Sequence, residues 1–167
     1  MSAHAPPPDD VAQVVLVCGP AGAGKTTHAR SLEREGYHRL SFDDAAWTLG
    51  HRDHPLDPAV AAEVHRGLQR ELLRLVARGD RVVVDTSFWS RASRDAYRDV
   101  LAPTGCAVVV HRLDTPREVV LARLARRRHT AGDDVAVPRE LALAYLDGFE
   151  PPTPDEGPVV VVPGGCA

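Results

Sequence analysis

Residues 14–27 read Val14-Val15-Leu16-Val17-Cys18-Gly19-Pro20-Ala21-Gly22-Ala23-Gly24-Lys25-Thr26-Thr27. Gly19 to Thr26 satisfies G-x-x-x-x-G-K-[ST] at every fixed position. The apolar run before it predicts a strand over residues 11–18, and Lys25 to Glu35 predicts a helix that Gly36 stops. Glycines at this spacing let consecutive backbone N–H groups turn inward as an anion nest, and the helix N-terminus adds partial positive charge. Gly19, Ala21, Gly22, Ala23, Gly24, Lys25, Thr26 and Thr27 are therefore the expected nucleotide-binding residues. Lys25 is placed to reach the β- and γ-phosphates, and the Thr26 hydroxyl is the expected ligand for Mg²⁺. The chain has 20 Lys and Arg residues, of which Lys25 is the single lysine. A compact ammonium on a flexible stem suits this cradle in a way that a guanidinium does not.

Working outward, the chain alternates short apolar runs with helical patterns. Strands are expected over 37–42, 81–85, 107–111 and 159–162. Asp57-Pro58 caps a helix that carries Val60, Val64, Leu68, Leu72, Leu75 and Val76 to Gly79. Further helices are expected from Ser90 to about Leu101, from the Thr115-Pro116-Arg117-Glu118 capping box onward, and from Pro138 to about Phe149. Residues 45–56 read as irregular and 129–137 as a mobile segment. Continuous valine runs separated by helices indicate a parallel sheet covered on both faces. The expected fold is a three-layer α/β P-loop sandwich with a five-stranded parallel sheet, one domain over 11–167 behind a disordered lead over 1–10.

Composition narrows the function classes. The chain has 167 residues, 44% hydrophobic and 26% charged, with a net charge of −3. No apolar run approaches a membrane span of about 18 residues, and no broad basic surface marks a nucleic-acid binder. The N-terminal stretch has neither a basic nor an apolar signal region. Cys18, Cys106 and Cys166 are odd in number and far apart, which fits a reducing cytoplasm. His51, His54, His65, His111 and His129 lack metal-ligand spacing.

Ligands of parallel sheets sit outside the carboxyl ends of the strands. Asp43-Asp44 follows the second expected strand and Asp85 ends the third, so these acids should face the phosphate loop. In phosphoryl transfer one acid helps hold Mg²⁺ and another orients or deprotonates the acceptor hydroxyl. Trp47, Phe88 and Trp89 could wall an acceptor pocket. Nothing resembling N-K-x-D argues for guanine, so ATP is the expected nucleotide.

The succession GPAGAGKTTHAR, SFDDAAW, VVVDTSFWSRASR, RLARRR and AVPRELALAYL resembles the AAA_33-type P-loop kinases from about Val14 to Phe149. That group includes the kinase domain of phage polynucleotide 5′-hydroxyl kinase and, more distantly, the zeta-toxin and chloramphenicol phosphotransferase group. The resemblance implies Asp43 as the general base and Asp85 on the substrate side, holding acceptor or metal-bound water. It also implies a short lid over about 123–138 whose arginine, among Arg123, Arg126 and Arg127, covers the ATP phosphates. A guanidinium there can bind two transferring oxygens at once. One departure stands out. Polynucleotide kinase carries an arginine shortly after its acid pair to grip the acceptor phosphate, whereas this chain reads Asp44-Ala45-Ala46-Trp47. Arg91 and Arg94 are the possible substitutes.

The expected activity is transfer of the γ-phosphate of ATP to a hydroxyl of a small molecule, such as a sugar, nucleoside or antibiotic. A 5′-hydroxyl polynucleotide kinase with nucleic acid as partner is the enzymatic alternative, and a zeta-like kinase of an activated sugar is a third. An ATP-binding regulatory switch or weak ATPase is the alternative of another class.

Overall fold

The computed structural model describes residues 13–53, 56–126 and 138–164. The N-terminal lead, His54, most of the expected lid including Arg127 and His129, and Cys166 lie outside the described residues. The elements are β1 (Val14–Cys18), α1 (Lys25–Arg34), β2 (His38–Ser41), α2 (Phe42–Thr48), α3 (Pro58–Ala77), β3 (Val82–Asp85), α4 (Arg91–Leu101), β4 (Val108–Asp114), α5 (Arg117–Ala125), α6 (Arg139–Asp147) and β5 (Val159–Pro163). The five strands form one parallel sheet in the order β2-β3-β1-β4-β5.

Because side chains alternate along a strand, β1 feeds two cores at once. Val14, Leu16 and Cys18 pack against Leu72, Leu75 and Val76 of α3 and Tyr97 and Leu101 of α4. Val15 and Val17 pack with Ala29 and Leu32 of α1 on the other face. All five β1 residues are buried, which is what the unbroken apolar run of a central parallel strand implies. Burial also pushes the Cys18 thiol up to about 11 against the opposing charges of Arg94 and Lys25.

Local side-chain caps set the starts of α2, α3 and α4. Asp57 accepts a hydrogen bond from the Ala59 N–H (2.9 Å) ahead of Pro58, and Ser90 and Ser93 cap α4 reciprocally. Three expectations need correction. Residues 42–48 form α2, where a strand was expected to run through Phe42 and an irregular stretch to begin at residue 45; Ser41 accepts from the Asp44 N–H at 3.2 Å and starts the helix. The Thr115 capping box does not form. Its hydroxyl donates instead to the Ala23 carbonyl at 2.6 Å, tying the end of β4 to the phosphate loop. β4 also runs to Asp114, three residues past its expected end, and pairs with β5 through Asp114 and Pro163.

The segment after α6 anchors to α4 through a buried ion pair. Arg94 is 1% exposed and donates to Glu156 at 2.9 Å and to the carbonyls of Phe88 (2.8 Å) and Glu150 (2.9 Å). Glu156 has a fully buried side chain and also accepts from the Thr153 N–H at 2.9 Å. A buried charge pair holds only when its remaining hydrogen-bonding capacity is met, and this one is met by backbone.

Candidate active site

The carboxyl ends of the strands open into a cavity of about 1020 Å³. Its floor is the phosphate loop between β1 and α1. Gly22 and Gly24 have φ of 82° and 100°, a region costly for residues with a Cβ. Space is tight as well: a Cβ on Gly22 would meet Leu124 and the Val120 carbonyl at 3.0 Å, so these neighbours would have to give. α5 and α6 pack beneath the loop through Val120, Leu124 and Ala142 with Ala21. The Lys25 ammonium donates to the Pro20 carbonyl at 3.0 Å, which holds it across the loop. The Gly19 N–H donates to the Ser87 carbonyl at 3.1 Å and ties the loop to the end of β3.

β3 lies beside β1 with Asp85 paired to Val17, so its carboxylate arrives next to the loop. Thr26 Oγ1 donates to Asp85 Oδ2 at 3.1 Å. Asp85 is 5% exposed, and a buried carboxylate needs charge compensation. Arg39 supplies it: Nε and Nη2 donate to Asp85 Oδ2 at 3.1 and 2.8 Å, and Nη1 donates to Asp44 Oδ2 at 2.8 Å. The geometry follows from the pairing of Arg39 with Val83 and Ser41 with Asp85. Arg39 and Asp85 therefore share a face as diagonal neighbours, within reach of a long side chain.

Arg39 is one residue of the candidate site that sequence reading missed. Its signal was an arginine at an inward-facing position of a strand ending in a paired acid, and only the strand order reveals which acid it meets.

Asp43 lies in the first turn of α2 and lines the same cavity as Lys25, Thr26 and Asp85. Tyr145 of α6, a second residue the sequence did not single out, also lines it. Burial, then the Asp43 charge, pushes the Tyr145 phenol up. Phe42, His65, Phe88 and Trp89 complete this side of the wall. The rings of Phe42 and His65 lie 4.7 Å apart, His65 and Tyr97 5.7 Å, and Tyr97 and Phe88 4.9 Å. His65 shares a 2.8 Å hydrogen bond with the Tyr97 hydroxyl, and burial pulls its pKa down. Trp47 stacks under Arg52 at 3.7 Å and is not part of the cavity wall. On the α1 side, His28 meets the buried His111 of β4 at 2.8 Å.

Of the three lid arginines, Arg123 stands over the loop: Nη1 donates to the Gly22 carbonyl at 3.3 Å and lies 3.3 Å from where a Gly24 Cβ would sit. Arg126 is exposed at the end of α5. Neither proposed substitute for the acceptor-phosphate arginine lines the cavity. Arg94 is committed to Glu156, and Arg91 pairs with Asp155 at 2.7 Å on the surface.

A glycine loop leading out of the central strand of a 2-3-1-4-5 parallel sheet, with an acid of the adjacent strand on its threonine, is the arrangement of a P-loop kinase. Residues 14–152 match the AAA_33 family, described as an AAA domain, and the chain belongs to that family of P-loop, ATP-binding kinases. It is 31% identical over 153 residues to an adenylate kinase of Thermus thermophilus, covering 85% of this chain and 82% of the relative. Its fold is shared with a sugar kinase from Janibacter sp. HTCC2649, with a TM-score of 0.68, 23% identity and coverage of 91% of this chain and 85% of that one. It is also shared with a gluconokinase from Sinorhizobium meliloti 1021, with a TM-score of 0.60, 23% identity and coverage of 92% and 83%. No helix among the described residues is long and apolar enough to cross a membrane.

Proposed function

We propose that this chain transfers the γ-phosphate of ATP to a hydroxyl of a small molecule, with Mg²⁺ as companion ion and residues 11–167 acting as one kinase-like unit with a lid at about 123–138. The observation that carries the reading is the placement of Asp43 on the wall of the cavity whose floor holds Lys25 and the Thr26–Asp85 pair.

The donor set fits the ion. Thr26 and Asp85 offer hard oxygen atoms side by side, and among the described residues no group of three His, Cys, Asp or Glu side chains could hold a metal alone. That is what Mg²⁺ shared with nucleotide phosphates requires. Bound there, the ion would neutralise charge on the β- and γ-phosphates. The loop N–H groups and Lys25 would hold the phosphates, and Arg123 would meet the charge that spreads over the transferring oxygens. Asp43 would accept the acceptor's hydroxyl proton as the new O–P bond forms and the γ-phosphorus separates from the bridging oxygen of ADP. Leu113, Val162 and Pro163 line the β4–β5 end of the cavity, an apolar shelf suited to a base.

A second reading is favoured by the relative named adenylate kinase: the acceptor oxygen could belong to a nucleoside monophosphate. A [γ-³²P]ATP screen over sugars, nucleosides, aminoglycosides, AMP and 5′-hydroxyl oligonucleotides tests both. Label on a hydroxyl compound, lost in Asp43→Asn and Lys25→Ala proteins, is the expected result. Label on AMP alone would replace the hydroxyl reading, and ATP hydrolysis with no labelled acceptor and no effect of Asp43→Asn would favour a nucleotide switch.

A further inference from the structure

His65 is a polar residue of the cavity wall that the transfer step leaves unused. It stands on α3, whose Val64 and Leu68 pack with Ala46 of α2 and hold Phe42 against them. The His65 ring lies 4.7 Å from the Phe42 ring, and Asp43, the next residue of α2, lines the same cavity. Resting on the phosphotransfer reading, we infer that His65 binds the acceptor directly: its Nε2–H donates to a second oxygen of a compound whose first hydroxyl meets Asp43.

Tyr97 decides which nitrogen of the ring holds the proton. It is 2% exposed and packs edge-on to Phe88, with ring centroids 4.9 Å apart. Among the described residues its hydroxyl has one hydrogen-bond partner, His65 Nδ1 at 2.8 Å. Burial raises the Tyr97 pKa, so the phenol keeps its proton. The bond can run two ways. If Nδ1–H donated to the phenol oxygen, the phenol proton would be left in the core without an acceptor, and a buried donor left unmade is costly. Donation from the hydroxyl to a bare Nδ1 leaves nothing unsatisfied. Burial also lowers the His65 pKa, so the ring is neutral at neutral pH and its one proton sits on Nε2.

The two nitrogens lie on different edges of the imidazole, so an Nδ1 committed to the core leaves Nε2 turned away from it. Among the described residues Nε2 makes no hydrogen bond, and it is not sealed from solvent. A neutral N–H held rigidly on a cavity wall recognises an oxygen lone pair. With Asp43 taking one hydroxyl, the wall fits a polyol or sugar, which brings a second oxygen close to the first. A mono-alcohol would leave the donor unmatched.

The experiment reads the ring first and the acceptor second. In the intact protein labelled with ¹⁵N-histidine at about pH 7.5, with a His65→Gln protein identifying the signals, His65 should carry its proton on Nε2. A proton on Nδ1 overturns the inference. D-glucose and adenosine, both polyhydroxy compounds, are then added as probes, and at least one should move the His65 Nε2–H signal. A probe that moves it should also take label from [γ-³²P]ATP, with an acceptor KM raised about fivefold in His65→Phe and kcat little changed. His65→Gln, which can place an amide N–H near the position of Nε2, should keep KM within about twofold. A labelled probe whose KM is unmoved by His65→Phe overturns the inference and leaves phosphotransfer standing, as does a His65→Gln protein no better than His65→Phe. A probe that moves the signal without being labelled supports the subsite and sinks the phosphotransfer reading instead. A signal moved by neither probe overturns the inference.

Discussion

The phosphate-loop side of the cavity is built mostly from backbone, and the Asp43 side from side chains. The loop from Gly19 to Thr26 presents backbone N–H groups and the left-handed glycines Gly22 and Gly24, with α5 and α6 packed against its underside. The opposite wall is made from Phe42, Asp43, His65, Trp89 and Tyr145, which come from α2, α3, the turn after β3, and α6. Backbone chemistry demands particular residues at particular spacing, so one side is written as a motif. A wall of side chains from four segments tolerates change at each of them without disturbing the loop. Arg39 joins the two sides, because one guanidinium holds Asp85 beside Thr26 and Asp44 beside Asp43.

The comparison can be broken most decisively at Lys25. Removing it should lower transfer about a thousandfold, and Lys25→Arg should fail nearly as badly, because a planar fork does not replace a point charge in this cradle. Steady-state transfer assays check both, and an active Lys25→Arg protein would mean that the phosphate side is less exacting than the motif implies.

The next largest effect lies outside both walls. Arg94→Ala removes the close partner of the buried Glu156 and leaves it Arg91 and Arg98 at 3.9 Å each, and should destabilise the fold by about 3 kcal/mol, measured by urea unfolding. A loss below about 1 kcal/mol would show that the segment after α6 is not anchored as described.

Arg39→Ala sharpens the comparison because it touches both sides. Thr26 still donates to Asp85, so the expected destabilisation is smaller, about 2 kcal/mol. A raised Mg²⁺ requirement in transfer assays, partly rescued by Arg39→Lys, would separate positioning of Asp85 from simple loss of packing.

The smallest effect is in pH. Burial lowers the pKa of His28, against the charges of Glu35 and Asp85, and that of His65, both from the ordinary 6.5. Below 6.5 the unfolded chain then binds more protons than the folded one, so stability is present above that pH and lost as pH falls toward the folded-state values. The melting midpoint should hold steady down to about pH 6.5 and then decline, and His65→Gln should flatten the decline. A midpoint that rises on acidification through this window would reverse the assigned sign.

How much of this was legible in the sequence divides along the same line. The phosphate loop, β1, β3 and the Asp57 and Ser90 helix starts are local events, and each could be read within about eight residues. α2 carried a readable signal that was passed over: Ser41 with an acid three positions on is an N-terminal cap of the ordinary kind. The Thr115 motif was a true local signal overridden by a tertiary partner, the Ala23 carbonyl. Arg39 and Tyr145 were illegible for a different reason. Their roles depend on which strand lies beside β2 and on where α6 returns, and no spacing in the sequence encodes either. Arg91 and Arg94 show the converse, since they looked available for a ligand until the segment at 150–156 supplied their partners.

The central claim is that Asp43 serves the acceptor and the phosphate loop serves ATP, and one measurement separates the two. ATP affinity and acceptor-dependent ADP release are to be compared in the parent protein and in Asp43→Asn. ATP affinity within about twofold and acceptor-dependent release lowered at least a hundredfold is the predicted result. Equal acceptor-dependent release from both proteins would contradict the assignment of Asp43, and with it the reading of this cavity as a phosphotransfer site.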